Sequence, residues 1–215
     1  EDQVRKWQMI TTQRIEKEAI APVITVSREP GSGGRILAQT LARKHGLDMF
    51  HQEILHEMAA SAKVSTAILE TLDEKGISIL EDSISALVHE RHLWPDRYLQ
   101  HLMKIVGTIG KHGRAVIVGR GANFILPPAG RLRVRVVAPM DVRIEHLVQD
   151  YGVSPYEAKR RLIRTESDRR AFIRKYFNAD ISNPINYDVI INTEVLTIDA
   201  AVETVGRAAG LHRSP

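Results

Sequence analysis

One stretch restricts the fold more than any other: VITVSREPGSGGRILAQTLARKHG, residues 23–46. Val23, Ile24 and Val26 form a short β-branched run of the kind that makes a buried strand. Gly31, Gly33 and Gly34 follow, and Ile36, Leu37, Leu41 and Ala42 then give a helix one apolar face. A strand, a glycine turn and a helix in this order have the layout of a phosphate-binding loop. Glycines let backbone N–H groups approach an anion closely, and the helix start adds its positive dipole end. The competing reading is a tight turn that needs glycine for packing alone.

Set against G-x-x-x-x-G-K-[ST], the stretch departs at two positions: Arg35 stands for the lysine and Ile36 for the hydroxyl. Arg35 keeps a permanent cation that can bond phosphate in bidentate fashion. Ile36 removes the group that normally helps hold Mg²⁺, leaving Ser32 and Ser27 as the nearby hydroxyls. Gly31, Ser32, Gly33, Gly34, Arg35 and Ile36 are the expected phosphate-binding residues.

Further strands are expected at Asp48–Phe50, Ala115–Val118, Leu132–Ala138 and Tyr187–Ile191. Helices are expected near 51–62, 65–74, 80–92 and 96–111. Three more should begin at Asp141 as a cap, at Ser154 in the SPYE capping box, and at Asp199. Strands alternating with helices imply a parallel sheet of about five strands covered on both faces, with a long helical insertion between the second and third. Residues 2–19 read as a polar helix with Val4, Trp7, Ile10 and Ile15 at helical spacing, ended by Pro22. Such a helix packs on the body, pairs with a second subunit as a homodimer, or links to a further domain. The chain opens on Glu1 rather than Met, so a longer parent is expected.

No window approaches the ~18 apolar residues of a spanning helix, and the N-terminus lacks an apolar signal core. With no cysteine among 215 residues, a disulfide framework, a thiolate metal site and a cysteine nucleophile are excluded, which fits a cytoplasmic protein. The formal net charge of +4 suits an anionic partner, either nucleotide phosphate or nucleic acid. His89 and His92 have i,i+3 spacing, but HERH is not HExxH and no third ligand is evident, so no metal site is expected.

Four segments in series resemble the cytidylate kinase-like branch of the P-loop nucleoside monophosphate kinases: ITVSREPGSGGRILAQTLA, VIVGRGANFILPPAGRLRVRVVAPMDVRIEHL, IRTESDRRAFIRKYF and YDVIINTEVLTIDAAVETV. The resemblance covers roughly residues 22–208. It implies an α/β P-loop NTPase three-layer sandwich with a helical NMP-binding insertion at 60–112 and an arginine-rich lid at 154–178. Residues 1–21 would be an N-terminal extension to a domain spanning 22–210. It implies that Arg120, with Arg28 and His51, binds the acceptor. Arg164 and Asp168 would close over the substrates, and Arg169 or Arg170 would neutralise charge on the moving phosphoryl group. The substrates implied are ATP, with Mg²⁺, and a nucleoside monophosphate, CMP or dCMP.

The departures are specific. Aspartates flank the Gly-Arg pair in those kinases, where this chain has Val118 and Gly121; Ala171 stands where a later lid arginine is expected, beside Arg170.

The cluster Lys159, Arg160, Arg161, Arg164, Arg169, Arg170, Arg174 and Lys175 admits three readings: a solvated basic face, a nucleic-acid stripe, or a phosphate-closing lid. Few aromatics, 5%, argue against nucleic acid. Phosphoryl transfer needs several cations around the transferred group, and only the lid reading also uses the glycine loop and Arg120. The expected activity is therefore ATP-dependent phosphoryl transfer to a nucleoside monophosphate. A nucleotide-binding regulator without turnover and a kinase of another small acceptor are the alternatives.

Overall fold

The computed structural model describes residues 22–211. Five strands, β1 (Val23–Arg28), β2 (Asp48–Phe50), β3 (Ala115–Val118), β4 (Arg131–Val137) and β5 (Val189–Asn192), form one sheet in the order β2-β3-β1-β4-β5. Every pairing is parallel, with Ile24 opposite Val116 on one side and Leu132 on the other. The chain therefore returns to the same end of the sheet before each strand, and the carboxyl ends of β1 and β3 lie side by side. Open parallel sheets bind ligands at that end, outside the strand termini.

The β-branched runs bury both faces because successive side chains alternate. Ile24, Val26, Val116, Val118, Val134 and Val136 pack against α1 (Gly34–His45) and α9 (Ile198–Ala208) through Leu37, Leu41, Val202 and Val205. Val23, Ala115 and Ile117 point the other way. They join a second cluster with α2 (Gln52–Ala60), α3 (Ala62–Leu69) and α5 (Arg97–His112), together with α6 (Ala122–Ile125) and the end of α8 (Pro155–Phe177). The expected three-layer α/β sandwich is present. Between β2 and β3 the insertion folds around α5, whose Leu99, Leu102, Met103, Ile105, Val106 and Ile109 are all buried. Across it lie α2, α3 and α4 (Glu74–Glu90).

Several boundaries differ from expectation, each for a local reason. In the insertion, Ser61 and Asp73 accept from the amides of Val64 and Gly76, starting α3 and α4 earlier than the apolar spacing suggested. The helix α7 (Met140–Tyr151) is not capped by Asp141. Extended Pro139 holds the cap position and Asp141 lies in the first turn, where its charge complements the dipole. The last helix, expected to begin at Asp199, begins one residue earlier at Ile198, because Thr197 caps it, accepting from the amide of Ala200 at 3.3 Å. Ser154 does cap α8, accepting from Glu157 N at 3.2 Å, but the Glu157 carboxylate pairs with Arg161 one turn on rather than closing the box. β5 begins at Val189, not Tyr187. Asp188 is spent on the backbone and guanidinium of Arg133, and the Tyr187 hydroxyl turns inward to Ile181 O. The expected helix at 2–19 lies outside the described residues.

Among the glycines of the described residues, the one in the turn that leaves β3 has the least room for a side chain. Gly121 has φ 70°, and a Cβ there would come within 2.1 Å of the Phe177 ring, which is itself fully buried and stacked on Phe124 at 5.4 Å. Left-handed backbone and absent side chain are both required here. Gly121→Ala should lose about 2–4 kcal/mol by urea unfolding, from strain and overpacking together. Phe177→Ala should lose about 3–5 kcal/mol. The double variant should lose less than the sum, because the space left by the ring admits the new methyl.

Candidate functional site

The glycine loop runs from the end of β1 into α1, and its carbonyl oxygens are tied back into the protein. His146 Nδ1 meets Gly31 O at 2.7 Å, and the Thr193 hydroxyl donates to Ser32 O at 2.8 Å. The Ser32 hydroxyl is wholly buried and donates to Glu29 O at 2.9 Å, with Val136 O at 3.3 Å. It shapes the loop and is committed there. Gly34 begins α1 directly over β1: a Cβ would meet that of Arg28 at 2.6 Å. The first amides of α1, from Gly34 through Ile36, have no partner within the helix, as at any helix start. Arg35 and Ile36 on that turn are exposed.

Beside the loop, at the carboxyl ends of β1 and β3, lies a cavity of about 270 Å³. Ser27, Arg28, Gln52, Arg120, Asn123, Asp168, Arg169 and Phe172 contribute to its lining. Arg28 leaves the last position of β1, and its Nη2 donates to Gln52 Oε1 at 2.9 Å. Arg120 projects from the turn Gly119–Gly121, in which all three residues have positive φ, 51° for Arg120 itself. A left-handed conformation is costly for arginine, so the turn holds local backbone strain. Its guanidinium lies 5.1 Å from the Phe172 ring centroid. Arg169 enters from α8, its Nη1 donating to Arg28 O at 2.8 Å.

Confining three guanidiniums has an electrostatic cost. Burial, then Arg169, and less strongly Arg120 and Arg35, push Arg28 down to about 9, against the opposing pull of Glu53. Burial first, with Arg135 and Arg120, brings Arg169 to about 10, with Glu53 and Glu166 opposing. Both remain cationic near neutral pH, so the cavity is a recess of concentrated positive charge.

The phase of α8 decides which arginine enters. Its buried side chains are Ala158, Leu162, Ile173 and Phe177. Arg169, seven residues after Leu162 and four before Ile173, falls on that stripe. Arg164 is exposed and does not line the cavity, while Asp168 does. Arg170 turns away to Glu166 Oε1 at 2.7 Å. His51 pairs with Glu53 at 2.8 Å, just before α2, and does not line the cavity. Gln52 and Asn123 escaped the sequence reading. Asn123 was signalled only as an amide inside the otherwise apolar ANFIL.

Behind the loop runs a chain of alternating charge. Glu29 lies 3.7 Å from both Arg135 and Arg143, and its Oε2 accepts from Ala138 N at 3.2 Å. Arg143 donates to Glu166 at 3.1 Å, which also holds Arg170. Burial alone would raise Glu166, but the bonds from Arg143 and Arg170 hold it below the usual carboxylate range. The loop is thereby joined through α7 to the middle of α8. Among the described residues, no three His, Cys, Asp or Glu side chains are grouped to hold a metal ion, and no helix is long and apolar enough to cross a membrane.

The family model described as "Cytidylate kinase-like family" matches residues 23–195. Cytidylate kinase of Pyrococcus horikoshii is 29% identical over 171 residues, 80% of this chain and 79% of that protein. Cytidylate kinase of Ignicoccus hospitalis is 23% identical over 185 residues, 86% of this chain and 97% of that protein. Among solved structures, an uncharacterized protein from Eubacterium ventriosum shares the fold with a TM-score of 0.70 at 20% identity, over 89% of this chain and 99% of that one.

Glu29→Gln removes the charge between two buried arginines and should cost about 3–5 kcal/mol in chemical denaturation. Replacing Arg143 by Met in the same protein should recover part of that loss, because fewer unpaired charges then remain inside.

Proposed function

The chain belongs to the cytidylate kinase-like family, and we propose that it transfers the γ-phosphoryl group of ATP to a nucleoside monophosphate, with CMP or dCMP as acceptor. The observation that carries this reading is the convergence of Arg28, Arg120 and Arg169 on one cavity next to the glycine loop. A phosphate-binding turn and a separate cationic recess, side by side, suit two phosphorylated substrates whose phosphates must meet.

In this proposal the loop amides and Arg35 hold the β- and γ-phosphates of ATP, and Arg120 and Arg28 fix the acceptor phosphate in line. An ionised oxygen of that phosphate attacks the γ-phosphorus as the bond to the β-phosphate oxygen breaks. No protein base is needed, since the nucleophile carries no proton to remove. Arg169 offsets charge on the transferred group, and α8 acts as the lid, Arg164 and Asp168 closing with it to exclude water. Mg²⁺ supplies charge neutralisation when it enters with the nucleotide. The usual loop hydroxyl is Ile36 here, and Ser32 and Glu29 are committed to protein partners. The residues present therefore do not form a metal cradle, and no step is routed through a protein-held ion. The proposed setting is the cytoplasm, where both substrates are met.

A second reading, nucleotide binding without turnover, is favoured by that same lack of a cradle. A coupled assay of ADP release with ATP, Mg²⁺ and CMP, dCMP or UMP separates the two. Turnover with one acceptor is expected; binding of ATP without turnover on any of them would establish the regulator instead. Arg35→Ala should lower kcat by about 100-fold, as for loss of one donor to developing charge. Arg120→Ala should chiefly raise KM for the acceptor.

A further inference from the structure

We infer that Asn123 is a fourth donor of the recess lined by Arg28, Arg120 and Arg169, its side-chain amide binding an oxygen of the acceptor phosphate alongside Arg28 and Arg120. The inference rests on the acceptor assignment proposed above and adds a binding residue to it. Asn123 is 6% exposed and lines the cavity, and its Nδ2 is buried with no hydrogen-bond partner. Three residues earlier in the same turn-and-helix, the Nε of Arg120 is also buried and unpartnered. Buried donors are nearly always satisfied, and an orphan is costly. Both orphans belong to residues that line one cavity, on a turn that also holds arginine in a left-handed conformation, and a ligand entering there would supply the acceptors they lack.

The polarity of the recess says what kind of group this is. Ser27 Oγ accepts from Arg135 Nη1 at 2.9 Å and lies 3.3 Å from the Tyr187 hydroxyl. Gln52 Oε1 is taken by Arg28. What remains around Asn123 is donor-rich, with exposed Asp168 the only carboxylate in the lining. A group that only accepts hydrogen bonds, such as a phosphate oxyanion, satisfies it; the amino edge of a base does not. Two phosphates could supply that oxygen: the acceptor monophosphate, to which we assign it, or the terminal phosphate of the donor.

Asn123→Leu removes the orphan amide at similar volume, and Asn123→Asp keeps the shape while presenting a negative acceptor. Asn123→Leu should leave the ligand-free Tm equal to or above that of the parent protein. KM for CMP should rise by about tenfold, as for one lost hydrogen bond to a charged group. KM for ATP should stay within about twofold. Asn123→Asp should raise KM for CMP further and decides the matter alone if the leucine variant fails to fold. Variants with an unchanged KM for CMP overturn the inference, as does a rise confined to ATP. Calorimetry on the parent protein distinguishes the two layers: no binding of CMP there sinks the kinase reading itself, whatever Asn123 does.

Discussion

Three guanidiniums share one recess in this protein, and most of its local architecture can be understood as what holds them there. Like charges at short range resist confinement, so each is held by a different device. Arg28 rides on the central strand and is tied to Gln52. Arg120 is forced inward by a turn of three left-handed residues. Arg169 is carried by a long helix whose apolar stripe fixes its rotation. Spreading the load over a strand, a turn and a helix means that no single flexible loop has to hold repelling charges together.

The parallel sheet makes this arrangement possible. Its strand order brings the ends of β1 and β3 together although the whole helical insertion separates them in sequence. Burial on both faces then leaves the strand ends as the place where polar groups can gather. The glycine loop fits the same logic: His146 and Thr193, from two distant parts of the chain, hold its carbonyls, and its own Ser32 hydroxyl donates to Glu29 O and to Val136 O on β4.

Much of this was legible in the sequence, and the limits are instructive. Strands β1 and β3 were readable because β-branched runs between turn residues have few other uses, and Ala115–Val118 was placed to the residue. Helix starts were harder, since Asp141 and Asp199 satisfy the same statistics as true caps but sit in the first turn, where a carboxylate is equally welcome. The arginine cluster showed that charge count alone does not pick the side chain that lines the cavity. Arg160, Arg164 and Asp168 share a helical face, yet the phase of Leu162, Ile173 and Phe177 sends Arg169 inward. Gln52 left no signal and Asn123 only the weak one of an amide in an apolar run, because one amide in a chain has no periodicity; only the folded neighbourhood reveals that the Asn123 Nδ2 lacks a partner.

The line Arg135–Glu29–Arg143–Glu166–Arg170 alternates in sign from the sheet, through the loop, to the far side of the long helix. In such a sequence of charges each inner member has two neighbours of opposite sign, so a change at one member alters the balance felt by the next. Selectivity engineering on the helix surface would therefore reach the nucleotide turn even without touching it. Substitutions there are best made as compensated couples, an acid exchanged together with the base it answers.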